Sequence, residues 1–287
     1  MPIFNPQSWG MPLLTLPDTP LWTDPNPFIW TGYRPESRSW TRCFASWFYS
    51  HNETGNIYSH LLPAVFLAAT LLLSVSAGTR FDTHTLDGSV VGFQLGSALL
   101  CLFLSTMYHT LLNHSSSVSR RCLQLDYVGI LGLILGNLAS GLHFGFYCAP
   151  TLRNVYWSMI ACGCATTAVI LLSPWFCDEE WRSLRLFSCI AIGLSAVAPI
   201  SHAGYLWGYD YLLGIGVPYY LLEGVLLLVG CFVFRTRIPE SFFPGQFDIW
   251  GHSHTLWHIF VVLSIVAHIA GLSHAVNYIH QSALCRG

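Results

Sequence analysis

The chain has 287 residues, 53% of them hydrophobic and only 9% charged, where a soluble domain carries roughly 25% charged residues. With 11 Trp and 13 Tyr, this composition excludes an ordinary soluble protein and indicates a polytopic membrane protein. The formal charge is −2, and every cationic residue is an arginine, so nothing suggests nucleic-acid binding.

Residues 1–35 are rich in Pro and Trp, with no basic n-region and no sustained apolar run. They read as an irregular tail and not as a signal peptide. Residues 36–50 place Trp40, Phe44, Trp47 and Phe48 on one helical face, with Arg38 and Arg42 among them. That pattern predicts an interfacial amphipathic helix, followed by a membrane domain over 51–287.

Seven apolar runs follow, at 57–78, 88–112, 122–147, 154–174, 185–207, 211–234 and 253–279. Each reaches the length of about 20 residues that a bilayer core demands. Lipid satisfies no backbone groups, and the runs lack the alternation of a barrel, so all seven are expected to be helices. Pro199 and His202 interrupt the fifth run, the weakest of the set. The ten cysteines are scattered without a C-x-x-C pair and read as small apolar packing residues. Gly132-x3-Gly136 and Gly141-x3-Gly145 in the third run predict close helix approach inside the protein.

Orientation follows from arginine. Arg34, Arg38, Arg42, Arg120, Arg121, Arg182, Arg185, Arg235 and Arg237 fall on one side, and Arg80, Arg153 and Arg286 on the other. The positive-inside rule then predicts a cytoplasmic N-terminus and an extracytoplasmic C-terminus, opposite to G-protein-coupled receptors. The fold class is therefore an all-α, multi-pass membrane protein with seven transmembrane helices; plasma membrane and endomembrane are both open. Two sequons, at Asn52 and Asn113, fall on the cytoplasmic side and are expected to stay unmodified.

With this topology the second run ends, and the third and seventh begin, at the cytoplasmic boundary. Ser105, His109, Asp126, His254 and His258 consequently share one depth. His254 and His258 are one helical turn apart, as are Ser105 and His109. Three neutral imidazoles leave the fourth position of tetrahedral Zn²⁺ open, the mark of a catalytic site, where a water is activated. Asp126 could accept or orient the water's proton, and Ser105 could hydrogen-bond the water or a developing oxyanion. A satisfied core polar group is the bland alternative for each residue singly. His252 lies about 200° from His254 on a helix and faces away. Glu53, Asn56 and His60 form a second group on one face at the start of the first run, suited to supporting the metal ligands or to capping and anchoring. His268 shares the face of His254 but lies roughly 15 Å deeper than His258, and Glu223 sits inside the sixth run, after Pro218, with no visible partner.

These motifs together resemble the progestin and adipoQ receptor family, which includes the adiponectin receptors and haemolysin III-like proteins. Glu53-x2-Asn56-x3-His60, Ser105-x3-His109 with Asp126, and His254-x3-His258 are similar to its three motif blocks. The resemblance extends over about residues 30–275. Ser59, where Thr is common, and His252 beside the last motif are the departures. The resemblance implies seven helices with a cytoplasmic N-terminus. It also implies Zn²⁺ held by His109, His254 and His258, a water held toward Asp126, and Ser105 at the position of the family's serine. Members are described as hormone receptors, as ceramide hydrolases and as regulators of zinc and lipid homeostasis.

Two readings of function stand. One is a zinc-dependent intramembrane hydrolase of a lipid amide such as ceramide, with Asp126 and Ser105 as catalytic residues. The other is a ligand receptor with a structural zinc. A transporter with His268, His202 and Glu223 along its path lacks the His-rich loop expected of it. The expected partner is a membrane lipid, as substrate or ligand, and a homo-oligomer is left open.

Overall fold

A computed structural model describes residues 12–23, 25–76, 86–176 and 179–282. Arg80 and Arg286, used above for orientation, and residues 1–11 of the tail lie outside them. Among the described residues the protein is all helical, apart from one isolated antiparallel bridge between Leu14 and Tyr33. The helices are α1 (Trp40–Ala45), α2 (Thr54–Ser76), α3 (Leu86–Leu111), α4 (Ser116–Gly145), α5 (Pro150–Leu172), α6 (Arg182–Leu194), α7 (Val197–Gly214), α8 (Val217–Thr236) and α9 (Ser253–Gln281).

Seven spans are long and apolar enough to cross a membrane: α2, α3, α4, α5, the α6–α7 stretch, α8 and α9. The protein is an integral, multi-pass membrane protein. Several helices overrun their apolar cores. α4 has 30 residues, about 45 Å at 1.5 Å per residue, against a hydrocarbon core of about 30 Å. It begins six residues before the expected 122, so Arg120 and Arg121 stand on its first turns instead of in a loop.

Spans five and six divide elsewhere than expected. The predicted gap at 208–210 is only a kink in α7, where Gly208 has φ 81° and ψ −179°. The true break is at Ile215-Gly216. Gly216 has φ 79°, and a Cβ there would sit 2.6 Å from the carbonyl oxygen of Gly271, so glycine is required both for the turn and for the close approach. Residues 211–216 are apolar throughout, and hydropathy alone does not mark the turn. Pro199 and Pro218 stand in the first turns of α7 and α8, where a missing N–H costs nothing.

The helix expected over 36–50 is shorter. Ser37 and Arg38 donate their backbone N–H groups to the carbonyls of Asn113 and His114, and Arg38 has φ 47°. That stretch is docked and non-helical. Helix starts only after Ser39, whose Oγ caps the N–H of Arg42, and passes at Ser46 into a 3-10 turn.

The chain divides into two compact units. The first contains Met1–Phe66, Leu102–Asp126 and Val229–Val262. Its interior is rich in buried polar side chains, among them His51, Asn56, Thr106, His109, Glu240 and His258. The N-terminal segment is bonded within this unit: the Asp248 carboxylate accepts from the backbone of Trp30 and Thr31 and from the Thr31 hydroxyl. The second unit contains Leu67–Cys101, Tyr127–Leu228 and Leu263–Gly287. Its core is apolar, built on Leu95, Phe144, Ile215 and Leu272 in one cluster and on Leu142, Phe146 and Ile160 in another. Of the four glycines in the two G-x3-G pairs of the third run, Gly136 makes the close approach: a Cβ would lie 2.9 Å from Ser97, while Gly132 and Gly141 face open space.

The cysteine reading needs one correction. Seven described cysteines are free, but Cys148, in the turn between α4 and α5, is disulfide-bonded.

Candidate metal centre

Glu53 stands at the entrance to α2, and its carboxylate organises the site. Its Oε2 accepts a hydrogen bond from Nδ1 of His109 at 2.7 Å and another from Nδ2 of Asn56 at 2.7 Å. Oε1 accepts from Nδ2 of Asn52 at 3.3 Å. Burial works against the charge, but the bonds from His109 and Asn56 hold the carboxyl below the usual carboxylate range. His109 is thereby held with Nδ1 protonated and Nε2 free. That Nε2 is buried and has no hydrogen-bond partner.

His258 is oriented in the same way by the backbone of α2. Its Nδ1 lies 3.1 Å from the Asn56 carbonyl oxygen and 3.1 Å from Ser59 Oγ, and the Ser59 hydroxyl itself donates to the Asn56 carbonyl. The ring of His60 stacks on His258 with centroids 3.9 Å apart and planes 11° from parallel. His254 packs edge-on against His109 and His258 and against Phe234.

One nitrogen from each of His109, His254 and His258 lies within 4.8 Å of the others, a spacing that can hold one metal ion. The fit is supported by the orphaned Nε2 of His109, which has no reason to be buried bare unless it has a ligand. The all-imidazole donor set suits zinc. Ser105 is buried, and its side chain interacts with the Asp126 carboxylate, whose charge also acts on His109. The structure thus brings together every site residue that the sequence singles out at this depth.

Several contributors escape a sequence reading. Thr255, between the two histidines of H-x3-H, donates to Asn56 Oδ1 at 2.7 Å and fixes the amide that holds Glu53. Arg34, counted above only as a positive charge, is buried and donates to the carbonyls of His109 and Thr110 and to Ser46 Oγ. It caps the C-terminal end of α3, where a cation is favoured. Asn52 and Asn113 are buried and bonded, as fits unused sequons. Ser59, a departure from the family pattern, is a partner of His258. A signal for these residues existed only in their closeness to motif positions. His252 does not join the cluster. It precedes α9, and its Nε2 lies 3.2 Å from the Asn52 carbonyl oxygen and 3.2 Å from Thr255 Oγ1.

His268 and Glu223 belong to the second unit and to each other. His268 Nδ1 lies 2.7 Å from Glu223 Oε2, and its Nε2 lies 2.9 Å from Ser140 Oγ. Asn137 donates to Glu223 Oε1 at 2.7 Å and accepts from Gln94 at 3.2 Å. His202 pairs with the Tyr156 hydroxyl instead.

Seven membrane-spanning helices with three converging imidazoles, one carried by α3 and two by α9, define a heptahelical membrane protein with a buried histidine cluster able to bind a metal. The chain belongs to the haemolysin-III related family, whose pattern matches residues 48–269. It is 36% identical over 271 residues to the ADIPOR-like receptor IZH2 of Saccharomyces cerevisiae, covering 92% of this chain and 84% of that one. It is 34% identical over 260 residues to the adiponectin receptor protein of Drosophila melanogaster, with 90% and 58% covered. To the progestin and adipoQ receptor-like protein 1 of Caenorhabditis elegans it is 36% identical over 260 residues, with 88% and 58% covered. The chain therefore spans most of the yeast relative and little more than half of the animal ones.

Proposed function

We propose that this protein is a zinc-dependent hydrolase of membrane lipid amides, with ceramide as the representative substrate, and that His109, His254 and His258 hold the ion. The observation that carries the reading is the cluster itself: among the described residues it has three protein donors, beside an acidic side chain that is not one of them. Three-donor zinc sites keep a position for water or substrate. When bound, zinc supplies Lewis acidity and lowers the pKa of a bound water.

The protein's own groups do the rest. Glu53 and the Asn56 carbonyl fix the Nδ1–H of two of the imidazoles, so that each presents Nε2. Asp126 takes up a proton at its carboxylate, and Ser105 orients that carboxylate through its hydroxyl. A substrate already dissolved in the bilayer reaches such a site without crossing water. The N-terminus is taken as cytoplasmic. The arginine distribution supports this, and so does the disulfide at Cys148, because the turn it occupies is then on the extracytoplasmic, oxidising side.

The second reading, a ligand receptor in which the metal is structural, is favoured by the names of the relatives, which call them receptors or receptor-like. Zinc content and ceramide turnover, measured on the purified wild type and on Asp126→Asn, separate the two. The hydrolase reading expects one zinc per chain in both and turnover only in the wild type. Equal turnover in both would refute the mechanism. Zinc in both without turnover of any lipid amide would leave the receptor reading. A folded preparation without zinc would overturn the site.

A further inference from the structure

A second site lies in the first unit, away from the histidines. Residues 36–38 and the N-terminal turns of α4 enclose an open depression of about 680 Å³ lined by Glu36, Arg38, Ser115, Ser116, Ser117, Arg120, Arg121 and Gln124. Its walls are fixed. The backbone N–H groups of Ser37 and Arg38 bond the carbonyls of Asn113 and His114, and Asn113 Nδ2 bonds the carbonyl of Pro35. The Trp40 ring packs on His114 with centroids 4.4 Å apart.

The charge of this depression is only partly compensated. Arg38 is paired with Glu36 at 2.8 Å. Arg120 and Arg121 are exposed, and among the described residues neither has an acidic partner. Three serine hydroxyls stand with them. Among the described residues, the guanidinium groups of Arg120 and Arg121 make no hydrogen bond or ion pair with the protein. Arginine forks beside hydroxyl donors match the oxygens of a phosphate monoester.

The neighbouring surface says where that phosphate comes from. α1 and the turn after it expose Trp40 (55%), Phe44 (39%) and Phe48 (81%). Trp40, which packs on His114, forms the rim of the depression, and exposed aromatics beside a polar site are the residues that seat in a headgroup layer. The arginine distribution puts this rim on the cytoplasmic leaflet, where polyphosphorylated lipids are recognised by clustered basic residues.

We infer that the depression bounded by Arg38, Arg120, Arg121 and Ser115–Ser117 binds the headgroup of an anionic, phosphomonoester-bearing membrane lipid such as a phosphoinositide. The aromatic rim rests in the bilayer, and the arginines engage the phosphates at its surface. The inference is independent of the metal-site reading.

The test is isothermal titration of the full-length protein in detergent with dioctanoyl phosphatidylinositol 4,5-bisphosphate. Parallel titrations use dioctanoyl phosphatidylcholine and soluble inositol 1,4,5-trisphosphate. The lipid is expected to bind saturably, and the double variant Arg120→Gln with Arg121→Gln to raise its Kd at least tenfold. Arg235→Gln, an exposed arginine in the last turn of α8 outside the depression, should leave Kd unchanged. Both changes are on the surface, and unchanged melting temperatures would verify folding. Equal binding of the soluble trisphosphate would overturn the lipid source in favour of a free phosphate. Equal binding of phosphatidylcholine, equal loss in Arg235→Gln, or no binding at all would overturn the site.

Discussion

Glu53 and His109, 56 residues apart, share a hydrogen bond of 2.7 Å between Oε2 and Nδ1. The carboxylate does two things for the imidazole. It fixes the tautomer that leaves Nε2 free, and it holds the ring in one orientation. Replacing Glu53 by Gln keeps the shape and removes the charge. Zinc affinity is then expected to fall about 10- to 100-fold, the usual cost of losing such a partner. Competition with a chromogenic chelator measures it. An unchanged affinity would mean that His109 is oriented by packing alone.

Gly55 and Thr255 bring α2 and α9 together at the site. A Cβ on Gly55 would lie 2.8 Å from Thr255 Oγ1 and 3.1 Å from its Cγ2. Gly55→Ala is expected to destabilise by about 1–3 kcal/mol through overpacking. Because Thr255 also holds Asn56, zinc occupancy should drop with stability. Thr255→Ala removes the clashing atoms, so the double variant should be less destabilised than the sum of the singles. Thermal melts of all four proteins in a double-mutant cycle decide it. Strict additivity would show that the contact is not tight.

How far the sequence reaches is clearest at α9. His254-x3-His258 announced its geometry through helical spacing, and Ser105, His109 and Asp126 joined it through topology, because depth in a membrane follows from chain direction. Hydropathy marked the seven spans, since bilayer thickness imposes a length. It did not mark the turn at Gly216, where the residues on both sides are apolar. Nor did it reveal that Arg34 reaches the end of α3, 75 residues away, or that Glu223 finds Asn137 and His268. Long-range partners leave no local period in a sequence; only a fold brings them together. In the sequence Arg34 has the default role of an arginine before a span, a topological charge.

Glu223 tests whether the second polar group is structural. Its two oxygens bond Asn137 and His268. Glu223→Ala leaves Asn137 Nδ2 and His268 Nδ1 without an acceptor, at a cost of about 1–3 kcal/mol for each unsatisfied group. Glu223→Gln keeps one acceptor and should cost less than half of that. Neither variant touches the histidine cluster, so zinc per folded chain is expected to stay at the wild-type value. Thermal stability and elemental analysis on the same samples check both points. A loss of zinc in a stably folded Glu223→Ala protein would show that the two polar groups are coupled.

Arg34 ties the N-terminal segment to the helix end that carries His109, one of the three clustered histidines. Its guanidinium donates to Ser46 Oγ at 2.7 Å, to the Thr110 carbonyl at 3.1 Å and to the His109 carbonyl at 2.5 Å. Arg34→Leu fills much of the same volume but strands two helix-terminal carbonyls in a buried place. At about 1–3 kcal/mol for each unsatisfied group, the melting temperature should fall on the order of 10 °C. Arg34→Lys carries the charge without the planar fork and can reach fewer of the three acceptors. Its melting temperature should fall between those of the other two proteins. Because the last turn of α3 also holds His109, the leucine variant should release zinc faster at a temperature where it is still folded. Chelator-driven release followed over time, with helicity monitored in parallel, distinguishes this from global unfolding. Wild-type release kinetics in Arg34→Leu would mean that the cap stabilises the helix end without positioning the ligand.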